Sequence, residues 1–222
     1  MKSQDQPFNA QPDRLSRTPS RIHNPREMTM KQLTMLLLPL FIILLGGCSS
    51  KTEFYRLQPT VNTSPGTSAF HHNRILGIGE VRVADYLEKP ELVTRLAPTH
   101  LKVHEEERWA GSLAGGIQLT LQKNLSSLLP GHTVLGYPWD EPVSDAYRLY
   151  VSVDRFDGDA NGTVILEGHW SLADQADSRV VTGEKFRYVE GGTPDTAGIV
   201  ATQSILLERL SRRIAGKVRR YF

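Results

Sequence analysis

The sequence predicts an α/β domain on the α+β borderline: one compact unit in which a mixed, mostly antiparallel sheet is packed by two long helices. Two observations predict it. Segments near residues 147–153, 164–172 and 180–188 alternate apolar and polar residues with the period of a strand. Segments near 109–128 and 193–220 instead repeat apolar residues at helical spacing, and such helices bury their stripe on a sheet.

The elements follow in chain order. Glu53-Phe54-Tyr55-Arg56-Leu57 is a short strand candidate, and residues 58–73, rich in Pro, Thr, Ser and Gly, read as a loop. Arg74 to Val83 reads as one strand, and Ala84 to Lys89 as a turn or short helical piece stopped by Pro90. Leu92 to Leu96 and His100 to Val103 form a hairpin across Ala97-Pro98-Thr99. The first long helix is expected from about Trp109 to Leu128, with Leu113, Ile117, Leu121, Leu125 and Leu128 on one face. Glu105, Glu106 and Glu107 precede it, where negative charge suits a helix N-terminus, and Pro130-Gly131 ends it.

The three alternating segments are joined by short turn-rich links, so they form an antiparallel meander. The last helix is expected to have Thr193 as cap, Pro194 at its first position and Asp195 in its first turn. Its stripe is Val200, Ser204, Leu207, Leu210, Ile214 and Val218. Arg209, Arg212, Arg213, Lys217, Arg219 and Arg220 crowd its C-terminal half and read as a solvated basic face.

A separate signal lies upstream. Residues 28–48 run from a positive charge at Lys31 through an apolar stretch, Met35 to Leu45, to Leu45-Gly46-Gly47-Cys48. That order of charge, apolar run and small residues is a signal peptide, and the run is too short to span a bilayer. Its ending resembles the lipobox of bacterial lipoproteins, which implies cleavage between Gly47 and Cys48 and lipidation of Cys48 by diacylglycerol and an N-acyl chain. Cys48 is also the one cysteine of the chain, so lipidation accounts for it and no internal disulfide is available. The organisation expected is an upstream extension over 1–27 (translation starting at Met28 or Met30), a signal peptide over 28–47, and a periplasmic lipoprotein domain over 48–222. Ser49, where Asp would favour inner-membrane retention in enterobacterial lipoproteins, is compatible with the outer membrane; retention in the inner membrane stays open.

Composition excludes other classes. The chain has 26 basic and 24 acidic residues. Six of the basic and three of the acidic ones precede Cys48, so the remainder is close to neutral and lacks the basic footprint of a nucleic-acid binder. Asp157-Gly158-Asp159-Ala160-Asn161-Gly162 matches the start of a calcium loop, but its twelfth position is Gly168 and Glu167 stands one residue early, so a polar hairpin turn is the reading. The histidines form no metal pattern, and no nucleophile elbow or phosphate loop is present. No enzyme, cofactor or metal is expected.

Four markers carry a family resemblance: Phe54-Tyr55-Arg56-Leu57; Ile78 to Pro90 followed by Leu92-Val93-Thr94-Arg95; Trp109-Ala110-Gly111-Ser112-Leu113; and Tyr147 to Phe156 with His169-Trp170. In that order they resemble the PqiC-like ABC-transport auxiliary lipoproteins over nearly all of 48–222. The resemblance implies a fold similar to the N-terminal domain of TolB. It implies a non-enzymatic role in intermembrane lipid transport and envelope integrity, with a periplasmic MCE-domain protein, an integral inner-membrane PqiA-like protein and membrane lipids as partners. It also implies a homo-oligomer, with a ring around the end of the MCE tube as one form. Most markers suit the core; if any are exposed, Tyr86, Leu87 and Trp109 are the contact residues expected, because aromatic anchors dominate interfaces. A stand-alone lipid- or small-ligand-binding lipoprotein is the alternative, and it requires a deep apolar pocket.

Overall fold

The computed structural model describes residues 51–61, 74–139 and 146–222, which fall within one compact unit, Ser50–Phe222. Gly47 and Cys48, with the whole signal segment, lie outside the described residues. In chain order the elements are β1 (Glu53–Tyr55), β2 (Ile75–Ile78), β3 (Arg82–Val83), a 3-10 turn (Asp85–Leu87), β4 (Glu91–Ala97), β5 (His100–Trp109), α1 (Leu113–Leu128), β6 (Thr133–Gly136), β7 (Ala146–Gly158), β8 (Thr163–Asp174), β9 (Val180–Gly191) and α2 (Thr196–Val218). No helix among the described residues is long and apolar enough to cross a membrane.

The class is α+β, and the strands form two sheets where one was expected. The larger has the order β6-β2-β7-β8-β9, with β3 also paired to β7. Its β6-β2-β7 part is parallel, and β7-β8-β9 is the expected antiparallel meander. The smaller sheet, β1-β5-β4, is the expected hairpin with β1 added in parallel. Both helices lie against the larger sheet and each other. The core between them takes Leu149, Val151, Phe156, Leu166, Trp170 and Leu172 from the strands, and every residue of the α2 stripe is buried.

Strand β7 carries a bulge between Val153 and Arg155. One extra residue reverses which face the following side chains take. Phe156 therefore continues the inner row of Leu149, Val151 and Val153, while Arg155 and Asp157 turn to the other face. The bulge also brings the β7 backbone onto Gly168: a Cβ there would stand 2.1 Å from the Ser152 carbonyl oxygen.

Several boundaries differ from the sequence reading. Strand β5 runs on through Glu105–Glu107 to Trp109, so those acids are strand residues and do not lead a helix. The ladder with β1 (Tyr55 opposite Trp109) and a bond from the Trp109 N–H to the Pro90 carbonyl (2.8 Å) hold that stretch extended. Helix α1 starts only at Leu113, where the Ser112 hydroxyl accepts the Gly115 N–H (3.1 Å). In α2 the cap is Asp195, accepting the Gly198 N–H (2.9 Å), and Thr193 and Pro194 precede it. The Thr193 hydroxyl and then the Gly198 amide hold the Asp195 carboxyl below the usual carboxylate range. The stretch 74–83 is two strands, broken at Gly79–Val81, and β6 is an element the sequence reading lacked.

The basic half of α2 is exposed, but it is tied down. Arg213 places two bonds on the Glu184 carboxylate of β9 (2.6 and 2.9 Å), and Arg212 pairs with Glu208. Arg209 lies over the Tyr188 ring, 4.9 Å from its centre, and Arg219 donates to the Leu128 carbonyl at the end of α1 (2.8 Å). The Arg213, Arg209 and Arg219 contacts fasten α2 and its C-terminal end to β9 and α1, and the Arg212–Glu208 pair lies within the helix.

Candidate functional site

Two places gather side chains that the fold alone does not demand. The first is the junction of the two sheets. Asp157, turned outward by the bulge, is fully buried there. Arg95 of β4 holds it with two bonds (Nε to Oδ1 3.1 Å, Nη2 to Oδ2 2.8 Å), and Arg155 adds a third (3.0 Å). The Tyr86 hydroxyl donates a fourth (2.8 Å). Burial first, then the Asp157 carboxylate it donates to, pushes the Tyr86 hydroxyl up to about 12. The bond to Asp157 also raises Arg95 further above its ordinary value. A carboxylate so fully used has no lone pair left for a substrate or a proton-transfer step. Its chemistry is to lock the 3-10 turn and β4 onto β7.

The second place is a groove beside the N-terminal strap. After β1 the chain runs as a strap, 56–61, across both helices. The Gln58 N–H donates to Ser204 of α2 (3.1 Å), and the Val61 N–H to Asn124 of α1 (3.3 Å). Asn124 is itself buried and donates to Ser211 of α2 (3.3 Å). An open groove of about 370 Å³ lies between the strap, the β5–α1 link and the first turns of α1. Tyr55, Leu57, Pro59, Trp109 and Leu119 give it an apolar lining, and Arg56 and Lys123 supply its cations.

The residues expected to touch a partner divide between these places. Leu87 is 4% exposed and Trp109 8% exposed, so the core claims both, with only an edge of Trp109 left to line the groove. Tyr86 is half-buried and its hydroxyl is engaged by Asp157. Contact roles for the three rested on exposure, which Leu87 and Trp109 lack. The calcium-like segment is the β7–β8 turn, in which the Asp159 carboxylate accepts the Asn161 and Thr163 amides (2.8 and 2.9 Å) and Gly162 takes a φ of +81°. His100 and His104 both lie in β5, and among the described residues no group of His, Cys, Asp or Glu is placed to hold a metal. The groove and the junction were both missed by sequence reading. One signal for the junction was present: Phe156 falls out of step with Val153, which marks the bulge.

Fold and side chains thus define a class: a small α+β domain whose buried polar groups serve structure and whose open feature is a strap-lined groove. The chain belongs to the family of ABC-type transport auxiliary lipoprotein components, whose model matches residues 55–215. This is a transport family and not an enzyme family. Among curated proteins the chain is similar to the intermembrane transport lipoprotein PqiC of Escherichia coli K12, at 34% identity over 134 residues, 59% of this chain and 70% of that one. The PqiC of Shigella flexneri matches to the same extent. Among solved structures, an uncharacterised protein matches with a TM-score of 0.63 and 26% identity, over 76% of this chain and 99% of that one. A Xanthomonas campestris protein matches with a TM-score of 0.62 and 20% identity, over 75% and 94%, a likeness of fold alone.

Proposed function

We propose that this chain is the membrane-anchored lipoprotein of a PqiC-type intermembrane lipid-transport system, lipidated on Cys48 and seated on the periplasmic face of the outer membrane. There it docks a periplasmic MCE-domain protein whose inner-membrane end meets an integral PqiA-like protein, and so supports envelope integrity. The observation that carries the reading is the identity to PqiC together with the family match over 55–215. The lipobox ending at Gly47-Cys48 supports the anchor. A ring of several copies around the end of the MCE tube is the assembly we propose.

The groove bears on the alternative, a stand-alone lipid carrier. At about 370 Å³ it is near the small end of ligand pockets and it opens along one side, which suits contact with a surface better than enclosure of a lipid. Co-purification from detergent-solubilised membranes tests the docking reading. The mature lipoprotein is expected to bring down an MCE-domain protein of the same envelope. Recovery of the lipoprotein alone, from detergent and from native membrane patches, refutes it. Native mass spectrometry showing one retained lipid per domain beyond the anchor points to the carrier.

A further inference from the structure

Strand β1 carries two apolar features that face opposite ways, because side chains alternate between the faces of a strand. Tyr55 and its neighbour across the ladder, Trp109, form one row, and both line the groove. Phe54 and its neighbour Arg108 form the adjacent row, and neither lines it. Phe54 is 66% exposed, more than any other large apolar side chain among the described residues. Arg108 beside it is paired with Glu91 (3.2 Å), so the surroundings of this ring carry both signs of charge.

The groove has the size and lining of a socket for such a ring. Its volume is about 370 Å³, and a dry apolar cavity of about 150 Å³ already holds benzene. Gly111, Gly115 and Gly116 keep its α1 side shallow, and Leu119, 51% exposed, stands on its wall. Its edge also carries both signs. Arg56 and Lys123 line it, while Glu53 accepts the Tyr55 hydroxyl (2.8 Å). That bond first, then burial and the charges of Glu53, Glu107 and Asp195, push the hydroxyl up to about 12. An apolar centre inside a polar rim of mixed charge is the anatomy of a protein–protein contact.

A knob and a socket on opposite faces of one strand cannot meet within one chain. They can meet between copies. Such a contact joins two different patches, so each copy uses its knob on one side and its socket on the other, and the series forms a ring when the rotation closes. Both patches adjoin β1, whose first residue stands five residues after Cys48, a reach of roughly 18 Å when extended. The contacts then lie at one level near the anchor, and a rotation axis normal to the membrane keeps every Cys48 on the same side.

We propose that Phe54 of each copy inserts into the groove of the next, between Leu119 and the strap, as the repeating contact of the ring. This rests on the ring assembly proposed above, and its test separates the two. The full chain, with a diazirine-bearing phenylalanine at position 54, is illuminated in native membranes. A band at twice the chain mass is expected. Trypsin, cutting after Arg108 and Lys123, is expected to place the new bond in the peptide Trp109–Lys123, which holds Leu119. The same probe at Val180, exposed at the start of β9, is expected to leave that peptide unmodified. Leu119→Arg, at an exposed position, should cut the yield about tenfold. A chain carrying both the probe and Leu119→Arg should still bond to a co-expressed unmodified copy, because its knob is intact; that result also shows the variant folded. No bond to a second copy overturns the proposal. So does a bond to a lipid, to another protein or to another segment, and so does a yield that Leu119→Arg leaves unchanged. If the chain is multimeric in any of these cases, this contact falls and the ring stands. A chain that is monomeric when drawn from membranes removes both.

Discussion

Removing the Asp157 carboxylate is the sharpest perturbation the fold offers. In Asp157→Ala, Arg95 and Arg155 lose a common anion while their side chains remain only 17% and 27% exposed. Breaking a buried ion pair from one side costs about 3–5 kcal/mol, because the surviving charge is left desolvated. Both guanidiniums keep some access to water, which places the loss near the lower end, about 3 kcal/mol. For a domain of this size that is a fall of roughly 6–12 °C in Tm. Urea unfolding followed by circular dichroism measures it, with the midpoint lowered and the slope unchanged. The triple variant Asp157→Leu, Arg95→Met, Arg155→Met is expected to recover most of the loss, since no charge is then orphaned. A loss under about 1 kcal/mol in Asp157→Ala, on the same unfolding scale, refutes the argument that this carboxylate locks the two sheets together.

Four further outcomes follow from the same coordinates. Gly168→Ala forces a Cβ toward the Ser152 carbonyl oxygen and is expected to cost about 2 kcal/mol in the same urea assay. Arg213 holds the Glu184 carboxyl below its ordinary value of 4.5, so its contribution is present above that pH and is lost as pH falls through the lower folded value. Glu184→Gln should therefore flatten the acid side of the stability profile. The Tyr86 hydroxyl is raised from 10.0 to about 12, so its contribution is intact below pH 10 and is lost as pH rises toward 12. Tyr86→Phe should remove one late-titrating tyrosine from the tyrosinate absorbance curve and reduce alkaline destabilisation across that window. Asn124→Ala orphans the Val61 N–H and should cost about 1–3 kcal/mol, with faster hydrogen exchange at Val61 and Gln58 as its signature.

What the sequence made legible was periodicity. Ile117, Leu121 and Leu125, and the α2 stripe from Val200 to Val218, are buried because a helix repeats its face every three to four residues whatever it packs on. The hairpin at Ala97–Thr99 and the meander were legible for the same reason, since short links leave neighbouring strands little choice but antiparallel pairing. Partners distant in sequence were not legible. Asp157 looks like a turn residue, and nothing in its surroundings names Arg95, 62 positions away. Glu105–Glu107 look like the lead-in to a helix, and it is pairing with the distant β1 (Glu53 opposite Glu107) and with β4 (Leu92 opposite His104, Glu91 opposite Arg108) that makes them strand. β6 has four residues, too few to display a period. The groove depends on three separate segments meeting, and each of them alone reads as ordinary chain.

The strap joins these parts into one mechanical argument. A lipid anchor on a slack linker would let the domain tumble, and its docking face would meet a partner in many orientations. Here the chain enters β1 within five residues of Cys48 and is then fastened at Gln58 and Val61 by side chains from both helices. Asn124 makes the fastening cooperative, because the same amide that receives Val61 also bridges to Ser211. With the anchor on Cys48 that we propose, a pull on it would be transmitted to the helix pair, and through Arg213 and Glu184 to the far strand of the larger sheet. Releasing the strap at Asn124 should weaken partner binding by widening the range of orientations at the membrane, even in a variant that remains folded.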